Sequence, residues 1–237
     1  MSMVELLARG LGEGDFSLEA GQLELCGRFG EMVAEKNKVM NLTGVTDDFG
    51  MATVHFLDSL ALGLCADFSG KRVLDVGSGA GFPGMPLAIG WPAGEFVLLD
   101  ALAKRIGFLQ EAIGALGLTN VRAVHGRAEE LAAKDDWRAG FDYVTSRAVA
   151  ELNVLCELAL PFLKVGGRFL AMKGVESAEE MLRAERAVSL LGGRLVSPVD
   201  YRIPLTEVSH RIVVVEKVAE TGAQYPRRFA KIQKSPL

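Results

Sequence analysis

The hydrophobic and polar positions change period near residue 70. Before it, apolar side chains recur at three- and four-residue intervals. Leu18, Leu25, Phe29, Met32, Val33 and Val39 form one stripe between about Ser17 and Met40. Met51, Val54, Leu57, Leu60, Ala61 and Leu64 form a second between Asp47 and Leu64. This spacing puts each set on one face of a helix, so two amphipathic helices are predicted, the first capped by Ser17 or Asp15. After residue 70 short β-branched runs alternate with helical stretches. "RVLDV" (72–76), "EFVLLD" (95–100), "NVRAVHG" (120–126), "FDYVTS" (141–146) and "GGRFLAMKG" (166–174) read as strands. Helices are predicted after Phe82, from Leu102 to Leu116, from Ala128, from Val149 to Leu163 and from Glu176 to Leu191. Repeated strand–helix–strand units mean parallel strands, right-handed crossovers and helices on both faces of the sheet. "GGRLVSPVDYRI" and "HRIVVVEKV" have no helix between them and should pair as an antiparallel hairpin at the sheet edge. The expected fold is α/β: a mostly parallel, seven-stranded, Rossmann-like sheet with a C-terminal antiparallel hairpin and an N-terminal helical extension. Its expected divisions are 1–68 for the extension, 69–220 for the core and 221–237 for a basic tail.

In such sheets ligands bind beyond the carboxyl ends of the strands, where strand order reverses. "DVGSGAGFPG", Asp75 to Gly84, follows the first strand and lies there. Gly77, Gly79 and Gly81 allow positive φ and a close backbone approach, and Pro83 suits the first helical position. A dinucleotide site would show G-x-G-x-x-G with its pyrophosphate on the helix N-terminus. Here the spacing is G-x-G-x-G with Asp75 just ahead, which suits a cofactor without phosphate. S-adenosylmethionine fits, because its sulfonium and ammonium would be drawn to Asp75 and strand-end carbonyls. Asp100, closing "EFVLLD", is placed to accept from ribose hydroxyls, a feature shared with NAD enzymes. That acid alone does not discriminate; the glycine spacing and the terminal hairpin disfavour an NAD-dependent oxidoreductase.

Composition narrows the class. At 237 residues, 49% hydrophobic and 24% charged, the chain is an ordinary globular protein. Its apolar runs stop short of the roughly 18 residues a membrane span needs. No basic leader precedes a long apolar stretch, so a cytoplasmic location is expected. Cys26, Cys65 and Cys156 show no ligand spacing and read as buried, reduced thiols. With three scattered histidines they supply no metal set. A net charge of −4 argues against a general nucleic-acid coat protein. The segment "TGAQYPRRFAKIQKSPL" nevertheless carries Arg227, Arg228, Lys231 and Lys234 and no acid, either as a solvated tail or as part of a basic surface.

Taken together, "NLTG", "HFLDS", "DVGSGAGFPGMPLAI", "LLDALAKRIGFL", "GRAEE", "SRAVAEL", "LPFLKVGGRFLAMKG", "HRIVVVEK" and the closing "YPRR" resemble the RsmG (GidB) family, methyltransferases of small-subunit (16S) ribosomal RNA. The likeness runs from about Asn37 to the C-terminus. It implies a class I methyltransferase fold, S-adenosylmethionine as donor and guanine N7 as acceptor. It also implies that Gly77 and Phe82 belong to the cofactor loop, that Ala128 and Glu129 lie beside the adenine, and that Arg147 stands at the cofactor and active site. Ala230 stands where the family has a glycine, which touches only the conformation of the tail.

The residues agree with that substrate. Guanine N7 has an in-plane lone pair and no proton, so it needs alignment and electrostatics rather than a general base. "SRAVA" after the fourth strand has neither the Asn/Asp-Pro-Pro-aromatic stretch of an exocyclic-amine enzyme nor the cysteine of a cytosine-carbon enzyme. Arg147 would hold the guanine or the cofactor carboxylate; the alternative is a salt bridge at a strand end. Lys104, Arg105, Arg127, Lys173 and Arg211, with Arg227 and Arg228, are candidates for RNA phosphates, each alone being an ordinary surface charge. His55 and Asp58 share a helix face. They either make a structural His–Asp hydrogen bond or, with Asn41, line the mouth of the site. A monomer is expected. A ribosome-assembly factor that keeps the fold for RNA binding is the remaining alternative, against which Asp75, Gly77 and Asp100 argue.

Overall fold

The structure is a computed structural model that describes residues 1–14 and 16–237. Eight strands, β1 (Arg72–Val76), β2 (Glu95–Asp100), β3 (Val121–His125), β4 (Phe141–Arg147), β5 (Leu163–Gly174), β6 (Gly193–Leu195), β7 (Val199–Arg202) and β8 (Ser209–Lys217), form one sheet. Its order is β3-β2-β1-β4-β5-β8-β6, with β7 also on β8. β1 to β5 are parallel, and β8 runs antiparallel to β5, β6 and β7. The predicted hairpin is therefore present with its first limb split into two short strands. β8 lies inside the sheet, between β5 and those strands, rather than on its edge.

Alternation along the strands builds two cores. Val73, Phe96, Leu98, Leu170 and Ile212 enter one, and Leu74, Val97, Leu99, Ala171 and Val213 the other. Helices α5 (Gly84–Gly90) and α6 (Ala103–Leu116) cover the first face. The N-terminal helices join them, so Leu7, Phe29 and Phe56 share a cluster with strand residues Val73 and Leu98. Helices α7 (Ala128–Leu131), α8 (Leu152–Ala159), α9 (Ala178–Leu190) and the C-terminal α10 (Phe229–Lys234) cover the second.

Three features of the helical face differ from the sequence expectation. Helix α1 (Met3–Gly12) was not anticipated, although Ser2 and Glu5 form a capping box: the Glu5 N–H donates to Ser2 Oγ at 3.3 Å and the Ser2 N–H to Glu5 Oε2 at 2.8 Å. Helix α2 (Ala20–Met40) is capped by Glu19 with Gln22, not by Ser17, and Asp15 lies outside the described residues. The helix from Asp48 to Leu64 passes through a π-helical stretch, Met51–Leu57. Its wider turn rotates the apolar stripe. Val54 is thereby turned outward at 40% exposed, while His55, Asp58 and Ser59 are buried. Among the described residues no helix is long and apolar enough to cross a membrane.

Candidate active site

The loop after β1 is held from within. Gly77, Gly79 and Gly81 have φ of 76°, 57° and 103°, values that a side chain would disfavour. Gly77 and Ser78 donate their N–H groups to the Leu99 carbonyl at 2.8 and 3.0 Å. Gly79 N–H donates to Asp100 Oδ2 at 2.9 Å, and Gly81 and Phe82 donate to the Ser78 carbonyl. Gly84, the first residue of α5, donates to Asp75 Oδ2 at 3.2 Å, while Thr145 Oγ1 donates to Asp75 Oδ1 at 3.0 Å.

Asp75 is thus a buried pin under the loop and not a wall of the cleft. Burial pushes its carboxyl up to about 6 against the hydrogen bonds it accepts. A carboxylate already occupies the N-terminus of α5, and the amides of Gly77, Ser78, Gly79, Gly81, Phe82 and Gly84 have acceptors within the protein, so a pyrophosphate would find no nest here. The cradle fits a cofactor without phosphate. Pro83 precedes the helix rather than opening it.

Beyond the strand ends lies a cleft of about 320 Å³. Gly77, Asp100, Ala128 and Glu129, expected there from the sequence, all line it. Asp100 is 5% exposed and also accepts from Leu102 N–H at 2.8 Å, so its orientation is set before any ligand arrives. Leu102, Leu158 and Phe229 supply apolar wall. Arg105, a candidate for RNA phosphate from the sequence, lines this cleft as well, donating to Asp100 Oδ2 at 3.3 Å. Val149 packs over Gly77, where an added Cβ would sit 2.5 Å from Val149 Cγ2.

Phe82 does not line the cleft. Its ring stacks on His55, centroids 4.5 Å apart, with the Arg147 guanidinium 5.5 Å from its centroid. Arg147, at the end of β4, donates Nη1–H groups to the Val54 carbonyl at 2.7 Å and Asp58 Oδ2 at 3.0 Å, and Nη2–H to His55 Nδ1 at 3.0 Å. The His55–Asp58 hydrogen bond, one of the two readings of this pair, is not made: the two side chains turn to different partners. Since Arg147 can only donate, His55 Nδ1 accepts, and Nε2 carries the proton to Thr43 Oγ1 at 2.7 Å. Burial, with Arg147 adding to it, lowers the His55 pKa to about 4.

Asp58 also accepts from Tyr201 at 2.6 Å and His210 Nδ1 at 2.8 Å on Oδ1. Burial alone would raise its carboxyl, but hydrogen bonds and the Arg147 charge bring it below the usual carboxylate range. The His210 pKa rises because of its bond to Asp58. Thr43, Tyr201 and His210 were not singled out in the sequence, and only the packing of β7 and β8 beside the helix brings the last two here. Thr43, in the "NLTG" block, orients His55 through its Oγ1, and its backbone is held by Asn37 at 2.9 Å through both amide atoms. Asn41 itself is an exposed left-handed residue ending α2, with φ 49°.

The proposed phosphate ligands divide. Lys104 and Arg228 are exposed with no side-chain partner among the described residues, and Arg127 is exposed at the cleft mouth. Lys173, Arg211 and Arg227 are each engaged by groups of the protein itself. Lys173 Nζ bridges Glu180 at 2.6 Å and the Ala150 carbonyl at 2.7 Å. Arg211 makes a bidentate pair with Asp200 at 2.6 and 2.7 Å. Arg227 does the same with Glu157, whose side chain is fully buried, at 2.8 and 2.6 Å.

The strand order, the phosphate-free cradle and the acidic end of β2 define a class I, Rossmann-like methyltransferase fold. The solved structure of M. jannaschii TYW2 in complex with AdoMet is similar in fold, with a TM-score of 0.52 at 16% identity over 68% of this chain and 75% of that one. A family model described as rRNA small subunit methyltransferase G matches residues 22–203. Ribosomal RNA small subunit methyltransferase G of Alkaliphilus oremlandii is 39% identical over the full length of both chains. The protein of the same name from Geobacillus thermodenitrificans is 42% identical over 96% of each. The chain belongs to the rRNA small subunit methyltransferase G (GidB) family.

Proposed function

We propose that the protein transfers the methyl group of S-adenosylmethionine to N7 of a guanine in small-subunit (16S) ribosomal RNA. It does so as a cytoplasmic monomer acting on the RNA or on a small ribosomal subunit. The observation that carries this reading is the state of the polar cluster at the end of β4. His55 is neutral with both nitrogens engaged, and both Asp58 oxygens are buried and occupied, Oδ2 by Arg147 and Oδ1 by Tyr201 and His210. The cluster therefore presents a fixed cation and no free base. An acceptor that had to lose a proton would be poorly served, whereas N7 has none to lose.

S-adenosylmethionine, when bound, supplies a methyl group on a positively charged sulfur. Asp100 accepts from the ribose hydroxyls, Gly77 gives close backbone approach, and Ala128 and Glu129 flank the base. Arg147 keeps Nε–H and one Nη2–H after its three bonds. These suit guanine O6 or the cofactor carboxylate; a donor on N7 would occupy the attacking lone pair. Lys104, Arg127 and Arg228 are left for RNA phosphates.

The test is transfer from isotope-labelled S-adenosylmethionine to unmodified small-subunit RNA or subunits, with mass identification of the labelled nucleoside. Label in 7-methylguanosine is the expected result. Label in another nucleoside would overturn the acceptor, and absence of label despite cofactor binding would favour an RNA-binding assembly factor.

A further inference from the structure

The C-terminal segment lies beyond the residues that the family model covers, and its basic composition suggests a solvated arm. The structure builds it instead as a fixed part of the protein. Arg138 donates to the Thr221, Gly222 and Tyr225 carbonyls at 2.6, 3.1 and 2.9 Å. Arg227 closes a bidentate pair on buried Glu157 of α8 and also donates to the Ser235 carbonyl at 3.1 Å, clasping α10 from end to end. Ile232 is fully buried in the second core. These three attachments have one common consequence. They set the ring of Phe229 into the cleft beside Leu158 of α8 and Ala128, with the Arg127 guanidinium 5.8 Å from its centroid.

We propose that this segment is a wall of the cofactor site, and that Phe229 packs against the nucleoside end of the cofactor. The assignment rests on reading the cleft as the S-adenosylmethionine site. It follows from the chemistry of the place: an aromatic ring, an alanine and a leucine form an apolar slot for a flat base, beside the acidic end of β2. A six-residue helix with four basic residues in and before it would not bury an isoleucine and saturate a buried glutamate merely to carry charge to RNA. Phe229 is thus a binding residue supplied from outside the strand-and-helix repeat.

The experiment compares S-adenosylhomocysteine and 5′-methylthioadenosine binding by calorimetry to the full-length wild type, Phe229→Ala and Phe229→Tyr. Loss of one stacking face should weaken both ligands by roughly tenfold or more in Phe229→Ala, by the same factor for each because the amino-acid end is untouched, and Phe229→Tyr should restore binding. Thermal unfolding without ligand checks that the variant is folded. A Phe229→Trp variant gives a second readout: its fluorescence should change on saturation with S-adenosylhomocysteine beyond the change in the wild type. Binding by Phe229→Ala within twofold of wild type, or an unchanged signal in Phe229→Trp, would overturn the assignment. Failure of the wild type to bind either ligand would instead overturn the cofactor reading on which it stands.

Discussion

The cleft has two walls made in opposite ways. The cradle, Asp75 to Gly84, is held by its own backbone and by the strands on either side of it. Its partners are the Leu99 carbonyl, the Asp100 and Asp75 carboxylates and the Thr145 hydroxyl. The C-terminal wall, residues 221–237, has only the short α10 of its own and is held by Arg138 and Glu157 from distant parts of the chain and by the burial of its own Ile232 in the second core. The first needs particular backbone conformations and so demands glycines. The second needs particular remote partners and, within itself, the side chains that reach them, Arg227 and Ile232. A cavity wall can therefore be specified by conformation or by attachment, and the two respond differently to mutation.

The largest effect is expected at the attachment. Arg227→Ala leaves the fully buried Glu157 carboxylate without its partner and should cost about 3 to 5 kcal/mol. Hydrogen exchange should rise across residues 225–237 well before the sheet. Urea unfolding within about 1 kcal/mol of wild type would show that the wall is held without this pair.

The cradle should instead reveal itself through pH. Burial raises folded Asp75 to about 6 from 3.8. The stability associated with its protonated form is complete below pH 3.8 and is lost as pH rises through 6, since the folded state then binds the extra proton less and less. Asp75→Asn should thus gain on the wild type by up to about 3 kcal/mol between acid and neutral pH. His55 has the opposite sign, its neutral folded form losing stability as pH falls from 6.5 towards 4, but it is common to both proteins and cancels. A difference that stays flat across this window would remove Asp75 from its place under the loop.

Two glycines sharpen the conformational half of the comparison. A Cβ on Gly84 would sit 2.1 Å from Leu98 Cδ2 and 2.9 Å from Asp75 Oδ2, so Gly84→Ala should destabilise by about 2 kcal/mol through overpacking. Gly79→Ala meets only the Gly77 carbonyl oxygen, at an ordinary 3.9 Å, and bears its left-handed φ, about 1 kcal/mol. Reversal of that order in thermal or chemical unfolding would mean that backbone conformation outweighs helix-to-strand packing here.

The smallest effects lie on the surface. Lys104→Glu at the start of α6 and Arg228→Glu on the tail should each weaken RNA binding modestly and lower the salt slope by roughly 0.7 to 0.9, leaving S-adenosylhomocysteine affinity unchanged. An unaltered slope in both would separate the RNA surface from both walls.

Much of the cradle was legible in advance because its chemistry is local. Positive φ at Gly77, Gly79 and Gly81 and the acid closing β2 are constraints a short stretch must satisfy within itself. The role of Gly84 was not legible, since its reason is the Leu98 side chain fourteen positions on. Arg147 illustrates the limit within one residue. Its place at the end of β4 follows from the strand pattern, but Asp58, His55 and the Val54 carbonyl reach it only because a π-helical stretch turns the 48–64 helix. The periodicity that predicted that helix assumed 3.6 residues per turn and so misplaced Val54. Likewise, Arg227 and Arg228 are indistinguishable as neighbours in a basic run, and one is buried against Glu157 while the other faces solvent.

By itself the sequence determined the alternation of strands and helices, the parallel sheet with its antiparallel close, the phosphate-free cradle and the family resemblance. These rest on periods of two and 3.6 and on backbone conformations only glycine adopts readily, all properties of adjacent residues. Only the tertiary structure decided which charges are free, which carboxylates are pins, and that the C-terminal segment walls the cleft. Those outcomes depend on whether a partner arrives from far along the chain, and burial, which turns a weak surface pair into a strong constraint, exists only once the chain has folded.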